Sequence, residues 1–507
     1  MSPSRKSSAK PLPDQLQGYD TLAAVDLGSN SFRMQVGRVL DDQIYELDSM
    51  KETVRLAAGL DARKSLSEES QQIALTALKR FGDRLRGFSP QAVRAVGTNT
   101  LRVAKNVSQF LLKAETALGF PIEVIAGREE ARLIYLGVSH GLPAGKEKRL
   151  VVDIGGGSTE CIVGRGHTPL QMESLYMGCV SYTQRFFADG KIDSTRLKRA
   201  ELAARTELQT IAARFREAGW KKAITSSGTA RSLGEMIRLG GWAEQGITRD
   251  GLRKLRGALL KAGETRRLSL PGLTPDRTPV VFGGFAIMSA VFDELDIEQA
   301  MTSEYALRHG VLYDLLGRYH HADMREATVA GFMRRYQVDL AQAKRVESYA
   351  RRLHEDIAAE DGGERDHDGQ LLTWAARLHE VGISIAYNGY HKHSSYILQN
   401  ADMPGFSRME QAHLAALVQA HRGALAKAQL SIKRAGDWPL VFVLRLATLL
   451  SRRREGSRPP PVRLTRRANR YDLAIDRKWL KGHPLTQTAL NEEISQWQAL
   501  GFEFRIS

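Results

Sequence analysis

One stretch of this chain occurs twice. Residues 24–38 read Ala-Val-Asp-Leu-Gly-Ser-Asn-Ser-Phe-Arg-Met-Gln-Val-Gly-Arg, and residues 151–165 read Val-Val-Asp-Ile-Gly-Gly-Gly-Ser-Thr-Glu-Cys-Ile-Val-Gly-Arg. The two agree at 7 of 15 positions across a separation of 127 residues. Each copy places an apolar run, an Asp and a Gly/Ser turn before a second apolar run, which is the pattern of a hairpin. Two matched hairpins predict two related lobes that face each other across a cleft.

The surrounding pattern alternates. Tyr19 to Val39 reads as two strands, Ser67 to Arg86 as an amphipathic helix, and Ala92 to Val96 as a strand. Ser108 to Leu118 is helical, Ile122 to Ile125 extended, and Arg128 to about Gly141 helical again, before Leu150 to Ile154 opens the second unit. Such alternation predicts an α/β layer. Beyond residue 320 the chain turns Ala-, Leu-, Arg- and His-rich with helical periodicity. Pro459-Pro460-Pro461 is a stiff break, and strands at Val462 to Leu464 and Tyr471 to Ile475 with a helix at Asn491 to Ala499 suggest a small α+β end piece. The expected division is a tail over 1–18, lobes over 19–140 and 141–320, a helical domain over 321–455 and a terminal domain over 456–507.

Composition sets outer limits. The chain has 507 residues, 42% of them hydrophobic and 26% charged, as in globular proteins. No apolar run approaches the roughly 20 residues of a bilayer span, so no integral membrane segment is expected. Only Cys161 and Cys179 are present, which points to a reduced, cytoplasmic setting. The net charge is +16, and residues 421–480 hold 15 Lys/Arg against 4 Asp/Glu. That block attracts polyanions. It has few interleaved aromatics and no recognised nucleic-acid motif, so nucleic acid is not an expected partner.

The turns carry the chemistry. Glycine lets backbone N–H groups approach an anion closely. The loops Gly28-Ser29-Asn30-Ser31 and Gly155-Gly156-Gly157-Ser158-Thr159 are therefore candidate phosphate cradles. Each follows a strand-end carboxylate, Asp26 or Asp153. A carboxylate beside a phosphate is repulsive unless a hard cation lies between them, so the pairing implies Mg²⁺ or Mn²⁺. Ser227, Gly228 and Thr229, just ahead of a helix expected from about Ala230, add further donors. Glu130 aligns with Leu133, Ile134 and Gly137 on the buried stripe of its helix, where it could accept a proton from water. Glu129 is expected on the wetter side, paired with Arg132 at i+3.

These motifs in this order resemble the exopolyphosphatase/guanosine pentaphosphate phosphohydrolase family. The resemblance rests on Val25 to Arg33, Val152 to Glu160, Val96-Gly-Thr-Asn-Thr-Leu-Arg102 and Ile125-Ala-Gly-Arg-Glu-Glu-Ala-Arg132. It extends to Trp374 to Gly382 and His391 to Asn400, and covers the chain from about Thr21 onward. It implies two actin-like, ribonuclease-H-like lobes followed by a helical HD-like domain and the small C-terminal piece. It implies Glu130 as general base and Asp153 and Glu160 as metal-holding acids; Asp26 is a further metal candidate from its place at the strand end before the first loop. Ser29, Asn30, Ser31, Gly155, Gly156, Gly157 and Ser158 match the phosphate cradle, and Arg33, Asn99 and Arg102 the further phosphate contacts. In the HD-like region the dyad reads His379-Glu380, with His354, His391, His393, His413 and His421 nearby. Glu in place of Asp points to a non-catalytic domain.

The expected activity is exopolyphosphatase, releasing orthophosphate from polyphosphate ends, because the basic block offers a long cationic track. Guanosine pentaphosphate hydrolysis is the alternative, served by the same residues, and a sugar-kinase-like phosphotransferase is a more distant one. A homodimer is expected, since it would extend such a track across two subunits.

Overall fold

The computed structural model describes residues 20–40, 43–143, 145–319, 323–361, 365–432, 434–454 and 462–507. The expected tail and the Pro459 to Pro461 break lie outside them. The chain divides into two compact units, Met1–Asp323 and Met324–Ser507.

The first unit contains two sheets. One is built from β1 (Thr21–Leu27), β2 (Phe32–Leu40), β3 (Gln43–Glu52), β4 (Val93–Gly97) and β5 (Ile122–Val124). Their order is β3-β2-β1-β4-β5. The other contains β6 (Lys148–Ile154), β7 (Thr159–Arg165), β8 (Thr168–Leu175), β9 (Lys222–Ser226), β10 (Ile247–Thr248) and β11 (Gln299–Thr302), in the order β10-β11-β9-β6-β7-β8. Counting from the first strand, both sheets run third, second, first, fourth, fifth, with β10 added at one edge. In each, an antiparallel meander joins a parallel fourth strand.

The repeat holds residue by residue. Asp26 pairs with Arg33 across the first hairpin, and Asp153 with Glu160 across the second. The second strand of each meander slips register at the same place, between Val36 and Gly37 and between Val163 and Gly164. A side chain at Gly37 would collide with Ile44, and one at Gly164 with Tyr135, so each glycine makes room for its bulge.

Apolar packing follows from this layering. One face of the first sheet buries Val25, Phe32 and Met34 under the Glu68–Arg84 and Val107–Leu118 helices. The second sheet buries Val152, Cys161 and Val163 with the Ser194–Ala218 and Val281–Glu294 helices. A third cluster joins Leu22 and Ala24 of β1 to Val151 of β6 through the Gly127–His140 and Leu307–Tyr319 helices. Those two helices touch backbone to backbone. A methyl on Gly137 would meet the Ala306 carbonyl at 2.5 Å, and one on Gly310 would strike Leu133. The expected boundary at residue 140 thus separates chain segments that share one central layer.

The unit from Met324 to Ser507 packs helices against a sheet of β12 (Val462–Arg467), β13 (Arg470–Ile475) and β14 (Glu503–Ile506), in that order. Its core is continuous: Phe442 of the Trp438–Leu450 helix stacks on Tyr471 of β13 at 3.8 Å and meets Phe504 of β14 at 4.9 Å. A boundary at residue 456, expected from sequence, is therefore not one between separate cores. No helix among the described residues is long and apolar enough to cross a membrane.

Candidate active site

The hairpin turns of the two lobes meet. A methyl on Gly156 would lie 2.9 Å from the Ser29 Cβ and 3.0 Å from the Asn30 amide nitrogen, and one on Gly157 would lie 2.5 Å from the Asn99 Oδ1. Glycine is required here because the two loops leave no room for a side chain. Between them opens a cavity of about 110 Å³, lined among others by Asp26, Asn30, Arg33, Glu130, Asp153 and Thr229. By that measure it holds several waters or a phosphoryl group with a water beside it. Gly28, Ser29, Ser31, Gly155, Gly156, Ser158, Ser227 and Gly228 also line it. Thirteen of the seventeen expected site residues thus converge on one space; Gly157, Asn99, Arg102 and Glu160 stand behind its wall.

The helix expected from Ala230 begins earlier, at Ser227, so Ser227, Gly228 and Thr229 are its first turn, not a loop before it. Ser227 has φ 88°, a left-handed conformation rare for a residue with a side chain. Its hydroxyl caps the Ala230 amide at 3.3 Å. At Gly228 any side chain would overlap the Arg277 guanidinium, which lies against that glycine.

Charge at the site is strongly segregated. Burial, then Glu130, pushes the Asp26 carboxyl up to about 7. Burial pushes Asp153 up to about 6, against a hydrogen bond from Ser226. Glu160 is raised well above the usual carboxylate range by burial and then by Glu130 and Asp153. Facing them are Arg33, Arg231, Arg277 and Arg308. Burial and the neighbouring Arg308, Arg231 and Arg277 together lower Arg33 to about 10. Of these four only Arg33 was legible in sequence. Arg231, four residues beyond Ser227, could have been found on the same helical face; Arg277 and Arg308 carried no local signal.

The two adjacent glutamates separate cleanly. Glu130 Oε2 accepts from Arg102 Nη1 at 2.6 Å, and Arg102 also donates to the Ile125 carbonyl at 3.1 Å. Arg102, expected at phosphate, holds the Glu130 carboxylate and is not among the residues lining the cavity. Glu129 makes the expected pair with Arg132, two contacts of 2.8 Å, but both residues are deeply buried, not on a wet face. Arg132 continues to Asp314 at 2.5 Å and Asp314 to Arg94 at 2.7 Å, which locks the Glu130 helix to the Leu307–Tyr319 helix.

Unmatched polar atoms mark where a ligand would fit. Asp26 Oδ1, Asn30 Oδ1 and Asn99 Nδ2 are buried without a hydrogen-bond partner. Such groups are costly unless something satisfies them. Among the described residues no three His, Cys, Asp or Glu side chains form a group that could hold a metal by themselves. Asp26 and Asp153 nevertheless suit a hard cation that takes its remaining oxygens from water and phosphate, the usual habit of Mg²⁺. Glu160, whose Oε1 accepts from Ser174 at 2.7 Å, is the cross-strand neighbour of Asp153 and lies outside the cavity lining.

The basic block of residues 421–480 is less free than its charge suggests. Arg454 pairs with Glu380 and Asp339, Arg470 with Asp472, and Arg445 with Glu493. Arg452, Arg463 and Arg467 remain exposed.

Comparison with known proteins agrees with this geometry. Residues 35–319 match the Ppx/GppA phosphatase family, and residues 324–494 match domain III of Ppx/GppA phosphatases. The chain is 37% identical over 486 residues to a guanosine-5'-triphosphate,3'-diphosphate pyrophosphatase of Vibrio cholerae, covering 96% of this chain and 97% of that protein. It is 37% identical over the same length to the protein of that name from Vibrio atlanticus. Among solved structures, an exopolyphosphatase from Cytophaga hutchinsonii superposes with a TM-score of 0.54 at 25% identity, covering 59% of this chain and 98% of that one. Paired actin-like sheets, facing glycine turns and matches along nearly the whole chain lead to one assignment: the protein belongs to the Ppx/GppA phosphatase family, hydrolases of phosphoanhydride bonds.

Proposed function

We propose that this protein removes the terminal phosphate of guanosine 5'-triphosphate 3'-diphosphate. The observation that carries this reading is the pairing of cavities. The phosphoryl-sized space at Glu130 shares Gly228, Arg231, Arg277, Ser303 and Glu304 with an adjoining cavity of about 510 Å³. A terminal phosphate in the first would leave room for the rest of a nucleotide in the second. The names of the Vibrio relatives favour the same substrate. The sequence-based preference for polyphosphate rested on a free basic track, of which Arg445, Arg454 and Arg470 are internally paired. Polyphosphate remains the second reading, supported by the likeness to the Cytophaga exopolyphosphatase.

In this reading Arg102 fixes Glu130 through Oε2 and leaves Oε1 to take a proton from the attacking water. Arg33, Arg231, Arg277 and Arg308 neutralise the phosphate oxygens, whose charge is spread in the loose transition state. Ser29, Asn30, Ser31 and the Gly155 to Ser158 loop donate hydrogen bonds to the phosphoryl group from two sides. Asp26 and Asp153 would hold a Mg²⁺ or Mn²⁺ ion, which when bound supplies charge neutralisation at the leaving oxygen. The test is phosphate release, side by side, from guanosine pentaphosphate, long-chain polyphosphate and ATP with Mg²⁺. A higher kcat/KM on the nucleotide is expected; a higher value on polyphosphate would reverse the order of the two readings.

A further inference from the structure

The unit from Met324 to Ser507 encloses a cavity of about 520 Å³ whose wall includes His379, Glu380, Tyr390, His421, Arg422 and Arg452. His379 and His421 are both buried and meet edge to face at 5.1 Å. Each ring places Nδ1 on a backbone carbonyl, His379 on Ala376 at 2.7 Å and His421 on Val418 at 2.5 Å. A carbonyl only accepts, so Nδ1 carries the proton and Nε2 is left as an acceptor. Burial holds His379 down at about 4 and His421 well below its usual range, which keeps both rings neutral. Glu380, the other half of the dyad, is ion-paired with Arg454 at 2.5 Å. Among the described residues no three His, Cys, Asp or Glu side chains form a group that could hold a metal.

Two cations on this wall make no close ion pair with a carboxylate among the described residues, although Arg422 hydrogen-bonds the Tyr390 and Tyr387 hydroxyls and its charge acts on Glu380. Arg422 and Arg452 are exposed. The Arg422 guanidinium sits 5.0 Å from the Tyr390 ring and 5.9 Å from the Tyr387 ring, and Tyr387 is 69% exposed. Arg445, by contrast, is fully engaged by Glu493 and by the carbonyls of Ala420 and Gly423. Glu492 also lines the cavity. Its carboxylate would accept from the N–H groups of a base, a contact that a bare inorganic polyanion cannot make.

We propose that this cavity is a second ligand site, distinct from the phosphatase cavity, that binds a nucleoside phosphate. Arg422 and Arg452 take the phosphates, the Tyr387 face stacks the base, and Nε2 of His379 accepts from a ribose hydroxyl. His421 Nε2 is only loosely engaged, 3.4 Å from the Tyr390 hydroxyl, and can do the same. The proposal does not depend on which substrate the phosphatase cavity prefers.

Hydrogen exchange followed by mass spectrometry on the full chain tests it, with GDP, ADP, ribose 5-phosphate and inorganic phosphate as probes. GDP or ADP is expected to slow exchange in residues 387–391, 419–424 and 449–454. That protection should persist in an Arg231→Ala/Arg308→Ala variant, which weakens the phosphatase cavity. It should disappear in Arg422→Ala/Arg452→Ala, with affinity falling at least about tenfold for two lost charge-assisted contacts. Both arginines are exposed, and an unchanged melting temperature verifies folding; Tyr387→Ala gives a second, milder loss. Protection confined to residues 26–33, 153–158 and 227–231 would overturn the proposal. So would equal protection by inorganic phosphate, or none by any probe.

Discussion

Asp26→Asn removes one buried charge and keeps the side chain's size, so its effect can be worked from the site. The Asp26 carboxyl is raised to about 7 from an ordinary 3.8, first by burial and then by Glu130. A carboxyl raised in this way binds its proton more tightly in the fold than in the unfolded chain. Stability from Asp26 is therefore complete below about pH 4 and is lost as pH rises toward 7. The loss is about 1.4 kcal/mol per pH unit and totals at most about 4 kcal/mol. The residue keeps partial contact with the cavity, which makes that total an upper bound. Asparagine cannot ionise. The melting temperature of Asp26→Asn, measured without divalent cations, should exceed that of the wild type by a margin that widens from pH 4 to 7 and is flat above. Adding Mg²⁺ at pH 8 should raise the wild type and not the variant, because the ion compensates a carboxylate that the variant lacks. The variant should also lose most of its turnover. A margin constant from pH 4 to 8 would refute the buried-carboxylate argument, and an equal Mg²⁺ response in both proteins would remove Asp26 from the metal site.

The other expectations concern separate parts of the site. Glu130→Gln should lower kcat by roughly 10²–10⁴-fold with substrate binding largely kept, whereas Glu129→Gln should lower stability by about 3–5 kcal/mol because it leaves Arg132 and Asp314 unbalanced; kcat and urea unfolding of both variants separate the roles. Arg231→Ala and Arg308→Ala should each weaken kcat/KM by about tenfold or more, with a shallower salt dependence of KM, since each removes a cation facing the phosphate space. Gly310→Ala should destabilise by about 1–3 kcal/mol or more, because the new methyl strikes the Leu133 carbonyl where two helices touch; an unchanged melting temperature would show that the helices can move apart.

Most elements of the first lobe, and the hairpin that opens the second, were legible because strand alternation, glycine turns and helix periodicity are local. So was the duplication, which the structure extends to paired bulges after Val36 and Val163. The same locality made Glu130, Asp26, Asp153 and the two turns readable as one constellation. It separated Glu130 from Glu129 and paired Glu129 with Arg132, but put that pair on the wetter side, whereas both residues are buried. Adjacent residues on a helix point about 100° apart, and only the packed Leu307–Tyr319 helix decides that one meets Asp314's arginine while the other meets the cavity. That Arg102 holds Glu130 at 2.6 Å was not legible, because nothing near either residue in sequence brings the two together. Arg277 and Arg308 come from segments far along the chain and join Arg33 only when the two sheets close. The basic block illustrates the limit most plainly: net charge is a sum over sequence, but its availability depends on which carboxylates the fold brings near. Asp339, Glu380 and Glu493 are remote in sequence from the arginines they neutralise. Short-range patterns are determined residue by residue, whereas ion pairing and cavity shape arise between distant segments and exist only once the chain has packed.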